Sequence, residues 1–125
     1  MILDTNGLSA MADGDAGLQP FLAATNQIEL PVIVLGEFRF GIIGSKRRPF
    51  YERWLHEFVR TCRVLVVDED TAVEYATVRD ELKVKRRPIP SNDVWIAALA
   101  RQHSLPVLTR DIHFDVVSKL KRLSW

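Results

Sequence analysis

The chain has 125 residues, of which 47% are apolar and 26% are charged, and its formal net charge is +1. This size and composition predict one globular domain. No apolar stretch approaches the roughly 20 residues of a membrane-spanning helix, and the first residues lack the basic and apolar segments of a signal peptide. The single cysteine, Cys62, excludes an internal disulfide and a cysteine-based zinc cluster, so we expect a reducing, cytoplasmic compartment.

The apolar pattern predicts short strands that alternate with helices. In chain order, the predicted strands cover about Met1–Leu3, Glu29–Leu35, Cys62–Val67, Pro106–Leu108 and Leu120–Ser124. Capping residues and apolar side chains at helical spacing predict helices over about Gly7–Ala12, Ala16–Thr25, Gly36–Ile43, Arg48–Arg60, Asp68–Leu82 and Asp93–Gln102. Such alternation favours the α/β class, with a central, mainly parallel sheet covered by helices on both faces as a three-layer α/β/α sandwich.

Four carboxylates follow short apolar runs, where strands are expected to end: Asp4, Glu37, Asp93 and Asp111. In an open α/β sheet, ligands bind outside the carboxyl ends of the strands. Acids gathered there raise each other's pKa unless a cation lies between them. Hard divalent cations prefer oxygen ligands, so the pattern predicts a site for Mg²⁺ or Mn²⁺.

Each acid also has a structural explanation when it is considered alone. Asp4 is a suitable N-cap residue, and Asp111 a suitable turn residue. Glu37 and Asp93 are expected in first helical turns, where the macrodipole favours a negative charge. Four such acids at successive junctions of one sheet favour a shared site over four separate structural roles.

A metal site of this kind is sufficient for phosphodiester hydrolysis. The ion lowers the pKa of a bound water, and a second ion can stabilise the leaving oxygen, so no histidine base is required. The three histidines show no metal-ligand spacing of the HExxH type. We interpret His56 as a surface residue and His103 as a helix C-terminal residue, and His113 is a candidate substrate contact close to Asp111.

Several polar and basic residues are candidates for supporting roles. Residues that could orient the acids or contact substrate are Asn6, Asn92, Thr109 and Asp115, although capping or turn hydrogen bonds explain Asn92 and Thr109 equally well. Without the four acids, seventeen basic residues face only twelve acidic ones. The basic group nearest to Asp93 contains the candidate phosphate contacts Lys83, Lys85, Arg86 and Arg87, whereas the other basic clusters are explained equally well as solvated charges.

Two stretches of the chain resemble the PIN domain, and within it the VapC-type toxins of bacterial toxin–antitoxin pairs. One is Ile2-Leu3-Asp4-Thr5-Asn6, which alone would be a weak match. The other runs from Pro88 through Ser91-Asn92-Asp93 to Thr109-Arg110-Asp111-Ile112-His113-Phe114-Asp115. Between them, Val34-Leu35-Gly36-Glu37-Phe38 matches the glutamate-bearing helix of the family. The resemblance covers the whole chain, residues 1–125, as a single PIN domain.

The resemblance implies an α/β/α sandwich and a Mg²⁺- or Mn²⁺-dependent endoribonuclease that leaves a 3′-hydroxyl and a 5′-phosphate. Asp4, Glu37, Asp93 and Asp111 match the acidic quartet of the family, in which the equivalents of Asp4 and Asp93 are the most direct metal ligands. It also implies a small antitoxin partner whose tail occupies the active-site groove, and usually a homodimer. Two departures are the short first strand and Arg86-Arg87 where many relatives carry glycine.

Other classes of function compete with this interpretation. A phosphoacceptor receiver domain has a similar length and sheet, but it carries paired acids after its first strand and a lysine after its fifth. Here Asp4 is followed by Thr5-Asn6 instead. A PIN-like module that binds RNA or a partner without cutting is a further alternative, against which the complete acidic quartet argues. Ribosomal RNA processing, DNA cleavage and DNA binding as a toxin-like complex are also compatible with a PIN domain.

Overall fold

Five short parallel strands form the central sheet in a computed structural model that describes all residues from Met1 to Trp125. The strands are β1 (Ile2–Leu3), β2 (Glu29–Pro31), β3 (Arg63–Leu65), β4 (Val107–Leu108) and β5 (Arg122–Leu123). Their order is β3-β2-β1-β4-β5, and every neighbouring pair is parallel. The strand order therefore reverses direction between β1 and β4.

Six α-helices connect and cover these strands. They are α1 (Thr5–Ala12), α2 (Gln19–Ala23), α3 (Val32–Ile42), α4 (Arg48–Val59), α5 (Glu69–Lys85) and α6 (Ser91–His103). Two 3₁₀ helices lie at Ala16–Leu18 and Ile112–Val116. Right-handed crossovers place the helices between β1 and β3 on one face and those between β3 and β4 on the other, which gives the predicted α/β/α fold. None of the helices is both long and apolar enough to cross a lipid bilayer.

The hydrophobic core lies between the sheet and both helical layers. The side chains of β1 and β4 are fully buried, as expected for central parallel strands. From the helical layers, α6 buries Ile96, Ala97 and Leu99. Cys62 is a half-buried free thiol, and burial raises its pKa.

One predicted boundary was wrong in a way that affects the site. The strand expected over Glu29–Leu35 ends at Pro31, and α3 begins immediately afterwards at Val32. Proline at this point ends the ladder because it has no N–H to donate. Glu37 therefore lies in the second turn of α3, not in the first turn as expected.

The expectation that each acid follows the end of a strand was wrong for Asp93. No strand precedes Asp93, because α5 runs to Lys85 and connects directly to α6 through residues 86–90. Two prolines in Pro88-Ile89-Pro90 remove the N–H groups that a strand ladder requires. Asp93 is nevertheless in the first turn of α6, as predicted. Asp4 thus directly follows β1, Asp111 lies three residues after β4, and helices place the other two acids.

Candidate functional site

The candidate site lies where the strand order reverses. Asp4 directly follows β1, and Thr109 and Asp111 follow the adjacent strand β4. In open α/β sheets, the crevice at such a switch point is the preferred ligand site, because the chain leaves neighbouring strands toward opposite faces. Asp4, Glu37, Asp93 and Asp111 all line one open cleft there, with a volume of about 530 Å³ and no apolar residue on its walls.

Asp4 lies at the buried end of this cleft and is 4% exposed. Its side chain caps α1, since Oδ1 accepts a hydrogen bond from the Gly7 N–H at 2.7 Å. Its other oxygen, Oδ2, accepts a hydrogen bond from the hydroxyl of Thr109, which is fully buried. The Thr109 hydroxyl in turn accepts from the Asp111 N–H at 2.8 Å. Thr109 therefore joins the acid after β1 to the acid after β4.

Asp93, Asp111 and His113 form a second group nearer to solvent. His113 Nδ1 lies 3.0 Å from Asp93 Oδ2 and 3.2 Å from Asp111 Oδ1. The His113 N–H donates to Asp111 Oδ1 at 2.9 Å, so the start of the 3₁₀ helix holds these two residues together. One ligand atom from each of the three side chains lies within 4.8 Å of the others.

Glu37 forms the side wall of the cleft. Its Oε1 accepts a hydrogen bond from the Thr5 hydroxyl at 3.0 Å. This bond links the first residue of α1 to the second turn of α3 and orients the carboxylate toward the other acids. Glu37 is also close enough to Asp93 for its charge to affect the pKa of that carboxyl.

Burial and mutual repulsion perturb the acids. Burial raises the pKa of Asp4 to about 6, against the lowering effect of the hydrogen bonds from Thr109 and Gly7. Burial also raises the pKa of Asp93, and the hydrogen bond with His113 opposes that rise. The same hydrogen bond raises the pKa of His113, because an adjacent carboxylate favours the imidazolium.

The chemistry of this donor set fits a divalent cation. No lysine or arginine forms an ion pair with any of the four acids, whereas nearby Asp15 and Asp115 are paired with Arg110 and Arg122. Buried or clustered carboxylates without a counter-charge are costly. Oxygen ligands of this type are those that Mg²⁺ and Mn²⁺ prefer.

The other predicted site residues divide into two groups. Asn6 and Asn92 line the cleft with the acids. Thr109 does not line it, but its hydroxyl donates a hydrogen bond to Asp4. Asp115 does not line it, and its carboxylate accepts two hydrogen bonds from Arg122, at 2.6 and 3.1 Å.

The four basic candidates also lie outside the walls of the acidic cleft. Lys83 and Arg86 line a separate cavity of about 510 Å³ beside Pro88 and Ile89. The Lys85 ammonium donates to the Val116 carbonyl at 3.1 Å. The basic end of α5 is therefore a neighbour of the cleft through the segment Pro88–Pro90, which leads into the cleft wall.

Two contributions to the site had no clear sequence signal. A Cβ at Gly7 would lie 3.1 Å from the Leu108 carbonyl oxygen and 3.3 Å from Asp4 Oδ1, so glycine permits α1 to approach β4 this closely. His113 contacts both Asp93 and Asp111, although the sequence indicated only its proximity to Asp111. Its position two residues after Asp111 was the one available signal.

Comparison with known proteins finds a family model and relatives that match most of the chain. The family model described as PIN domain matches residues 1–120. Ribonuclease VapC5 of Mycobacterium tuberculosis is 34% identical over 118 residues, which cover 90% of this chain and 84% of that protein.

Two solved structures share the fold over nearly the whole chain. One is VapBC2 from Rickettsia felis bound to a DNA fragment from its promoter, with 26% identity, a TM-score of 0.87 and coverage of 99% of this chain and 97% of that one. The other is VapBC-5 from M. tuberculosis, described as a member of the VapBC family of toxin–antitoxin systems. It has 26% identity, a TM-score of 0.78 and the same coverage of both chains.

Proposed function

Since the chain belongs to the PIN-domain family, we propose that residues 1–125 form one metal-dependent endoribonuclease domain that acts as the toxin of a toxin–antitoxin pair. The observation that carries this proposal is the convergence of Asp4, Glu37, Asp93 and Asp111 on one cleft without a lysine or arginine counter-charge. The relatives named as ribonucleases and the toxin–antitoxin structures support it independently.

The four acids would hold a Mg²⁺ or Mn²⁺ ion in this cleft. A divalent ion bound there supplies charge neutralisation for the scissile phosphate and lowers the pKa of an attacking water. Thr109 fixes the carboxylate of Asp4 and, through the Asp111 N–H, the start of the loop that carries Asp111. Thr5 fixes Glu37 in the same way. The chain thus presents its acids in fixed positions before substrate arrives, which reduces the reorganisation that catalysis requires.

The amino end of α6 supports binding of the substrate phosphate. The first intrahelical bond of α6 is donated by Val94 to the Pro90 carbonyl, so the N–H groups of Ser91 and Asn92 have no helical partner. Such N–H groups and the positive end of the helix dipole favour anions. Ser91, Asn92 and Asn6 line the cleft, and their side chains add further donors beside the acids.

A cognate antitoxin is the partner that this proposal requires, and a homodimer is the proposed assembly. The support for the antitoxin is the similarity, at 26% identity, to chains of VapBC complexes. An open, acidic cleft without apolar walls is accessible both to an RNA strand and to a segment of a partner that blocks it.

The test is cleavage of total bacterial RNA by purified, antitoxin-free protein. We expect discrete fragments with Mg²⁺ and none with EDTA. Asp93→Asn is expected to abolish cleavage while the protein stays folded, because the substitution removes a carboxylate that lies among like charges. Asp80→Asn is the matched control, since Asp80 is an exposed aspartate of α5 outside the acidic cleft.

The fragments would also be sequenced to identify the cleaved RNA and the bond that is cut. Retained cleavage by folded Asp93→Asn, or equal cleavage in EDTA, would contradict the proposed mechanism. Tight RNA binding without cleavage in any metal would instead favour the non-cutting PIN-like module.

A further inference from the structure

His113 is the one basic side chain that contacts the acids of the cleft. Its ring nitrogen Nδ1 lies between two carboxylates, 3.0 Å from Asp93 Oδ2 and 3.2 Å from Asp111 Oδ1. Its side chain is 47% exposed, whereas those of Asp93 and Asp111 are 17% and 25% exposed. The imidazole therefore lies on the solvent side of the cluster, with Nδ1 turned toward both carboxylates.

The two carboxylates next to His113 retain free ligand atoms. Asp93 Oδ1 and Asp111 Oδ2 accept no hydrogen bond from the protein. By contrast, both oxygens of Asp4 accept hydrogen bonds, from the Gly7 N–H and from the Thr109 hydroxyl. Glu37 Oε2 is likewise free, but Asp93, Asp111 and His113 are the group in which one ligand atom from each side chain lies within 4.8 Å of the others.

The backbone holds this trio in place. Asp93 is in the first turn of the 13-residue helix α6, and Asp111 is the N-cap of the 3₁₀ helix that contains His113. The bond from the His113 N–H to Asp111 Oδ1 fixes the spacing between the last two side chains. Ligands on such rigid elements need little rearrangement to bind an ion.

We propose that His113 Nδ1 is a direct ligand of the ion, together with Asp93 and Asp111, and that the site therefore binds first-row transition ions such as Mn²⁺ more tightly than Mg²⁺. The inference rests on the proposed function, because it concerns the ion of that same cleft. Mg²⁺ selects oxygen ligands, whereas imidazole nitrogen favours transition metals. A mixed set of carboxylate oxygens and one nitrogen discriminates between the two ions.

The decisive measurement detects nitrogen bound to the ion and needs no catalysis. Mn²⁺ is added to the full-length, antitoxin-free protein, and its electron spin echo envelope modulation is recorded. Wild type is expected to show modulation from a directly coordinated imidazole ¹⁴N. His113→Gln is expected to lose it, and His56→Gln, which changes an exposed histidine of α4, is expected to keep it.

Calorimetric titrations with Mn²⁺ and with Mg²⁺ provide the second readout. His113→Gln is expected to weaken Mn²⁺ binding by about tenfold or more, the scale on which even supporting residues of metal sites act. Mg²⁺ binding is expected to change by less than about threefold, because the carboxylate ligands remain.

The outcomes separate this inference from the proposed function. Mn²⁺ that binds the cleft without nitrogen modulation, or an equal weakening for both ions, would overturn the role of His113 and leave a carboxylate-only nuclease site. An imidazole that only contacts substrate would give that same result. Failure of the wild type to bind either ion would contradict the proposed function as well.

Discussion

At the scale of single residues, the site depends on a few buried polar groups. Asp4, Glu29, Thr71 and Thr109 are the buried polar or charged residues of the chain. Glu29 and Thr71 have partners away from the cleft, in the Met1 ammonium and in Asp68 and Gln102. Asp4 and Thr109 have each other. A buried carboxylate without a counter-charge lowers the stability of the folded protein. The Asp4–Thr109 pair is therefore better explained by the function of the cleft than by stability.

The raised pKa of Asp4 predicts a specific pH dependence of stability. Its folded pKa is about 6 and its ordinary value is 3.8, so between these values the folded protein retains a proton that the unfolded chain has lost. In EDTA, the free energy of unfolding of wild type relative to Asp4→Asn is therefore expected to fall as the pH rises from about 4 to 6, by on the order of 1–3 kcal/mol. Urea unfolding of both proteins at a series of pH values measures this difference.

The difference in unfolding free energy between wild type and Asp4→Asn removes the contributions of titrating groups that do not interact with Asp4. Saturating Mg²⁺ is expected to stabilise wild type increasingly over the same pH range, because the ion binds the deprotonated carboxylate. The same measurement on Asp70→Asn, which removes an exposed carboxylate of α5, serves as the control for loss of a surface charge. A flat difference between wild type and Asp4→Asn in EDTA would show that burial does not raise the pKa of Asp4 as described.

At the scale of elements, the close approach of α1 to β4 places Asp4 at the cleft. Gly7 lies in the first turn of α1, and a Cβ there would lie 3.1 Å from a backbone carbonyl and 3.3 Å from Asp4 Oδ1. A backbone atom cannot rotate away as a flexible side chain can. The small size of Gly7 is therefore part of how the chain positions Asp4.

Gly7→Ala and Gly36→Ala are expected to have opposite effects on stability. Both positions are in α-helices, where alanine is favoured over glycine by about 0.5–1 kcal/mol. A Cβ at Gly36 meets nothing within 4 Å, so Gly36→Ala is expected to stabilise the protein. Gly7→Ala is expected to destabilise it by up to about 2 kcal/mol, since overpacking costs about 1–3 kcal/mol. Urea denaturation of the two variants measures both effects.

Metal titration of the same two variants adds a functional readout. Gly7→Ala is expected to weaken Mn²⁺ binding because Asp4 must move, whereas Gly36→Ala leaves the position of Asp4 unchanged. If Gly7→Ala stabilised the protein as much as Gly36→Ala, the close approach of α1 and β4 would not be required.

The elements also show how far the sequence could predict this site. Asp4 and Asp111 were predictable because each comes within three residues of a buried apolar strand. The run Val32–Leu35 was wrongly predicted as part of a strand. Its β-branched residues favour a strand, but tertiary packing makes the run helical. A helical signal was present in the four-residue spacing of Val34, Phe38 and Ile42, which α3 buries.

Contacts between distant elements were beyond sequence reasoning. The Thr5–Glu37 bond joins residues 32 positions apart, and the His113–Asp93 contact joins residues 20 positions apart. Neither spacing is a local pattern, since each contact depends on how helices pack around the end of the sheet. Asp93 was placed correctly in a first helical turn, but it reaches the cleft through α6 instead of through a preceding strand.

At the scale of the whole molecule, charge is distributed unevenly between the two ends of the sheet. The acidic cleft occupies the carboxyl end, and the basic end of α5 leads into its wall through residues 88–90. Lys119 and Lys121 instead line a cavity with Leu105 and Pro106, before β4 begins. The Lys83–Arg87 segment is therefore the basic region that adjoins the cleft, whereas Lys119 and Lys121 lie toward the amino ends of the strands.

This arrangement predicts which cations contribute to RNA binding. In an Asp93→Asn background that prevents cleavage, Lys83→Ala with Arg87→Ala is expected to weaken single-stranded RNA binding. The slope of log affinity against log salt is expected to become shallower by about 0.7 for each phosphate that the variant no longer neutralises, because fewer counterions are released. Fluorescence anisotropy at several salt concentrations gives these slopes.

The matched control changes the same number of charges at the other end of the sheet. Lys119→Ala with Lys121→Ala lowers the net charge equally but lies at the amino ends of β4 and β5. If long-range attraction to the overall charge governed binding, both double variants would lose affinity alike. A shallower slope for Lys83→Ala with Arg87→Ala alone would place the phosphate path along the end of α5, beside the wall of the acidic cleft. Equal slopes in the two double variants would exclude that path.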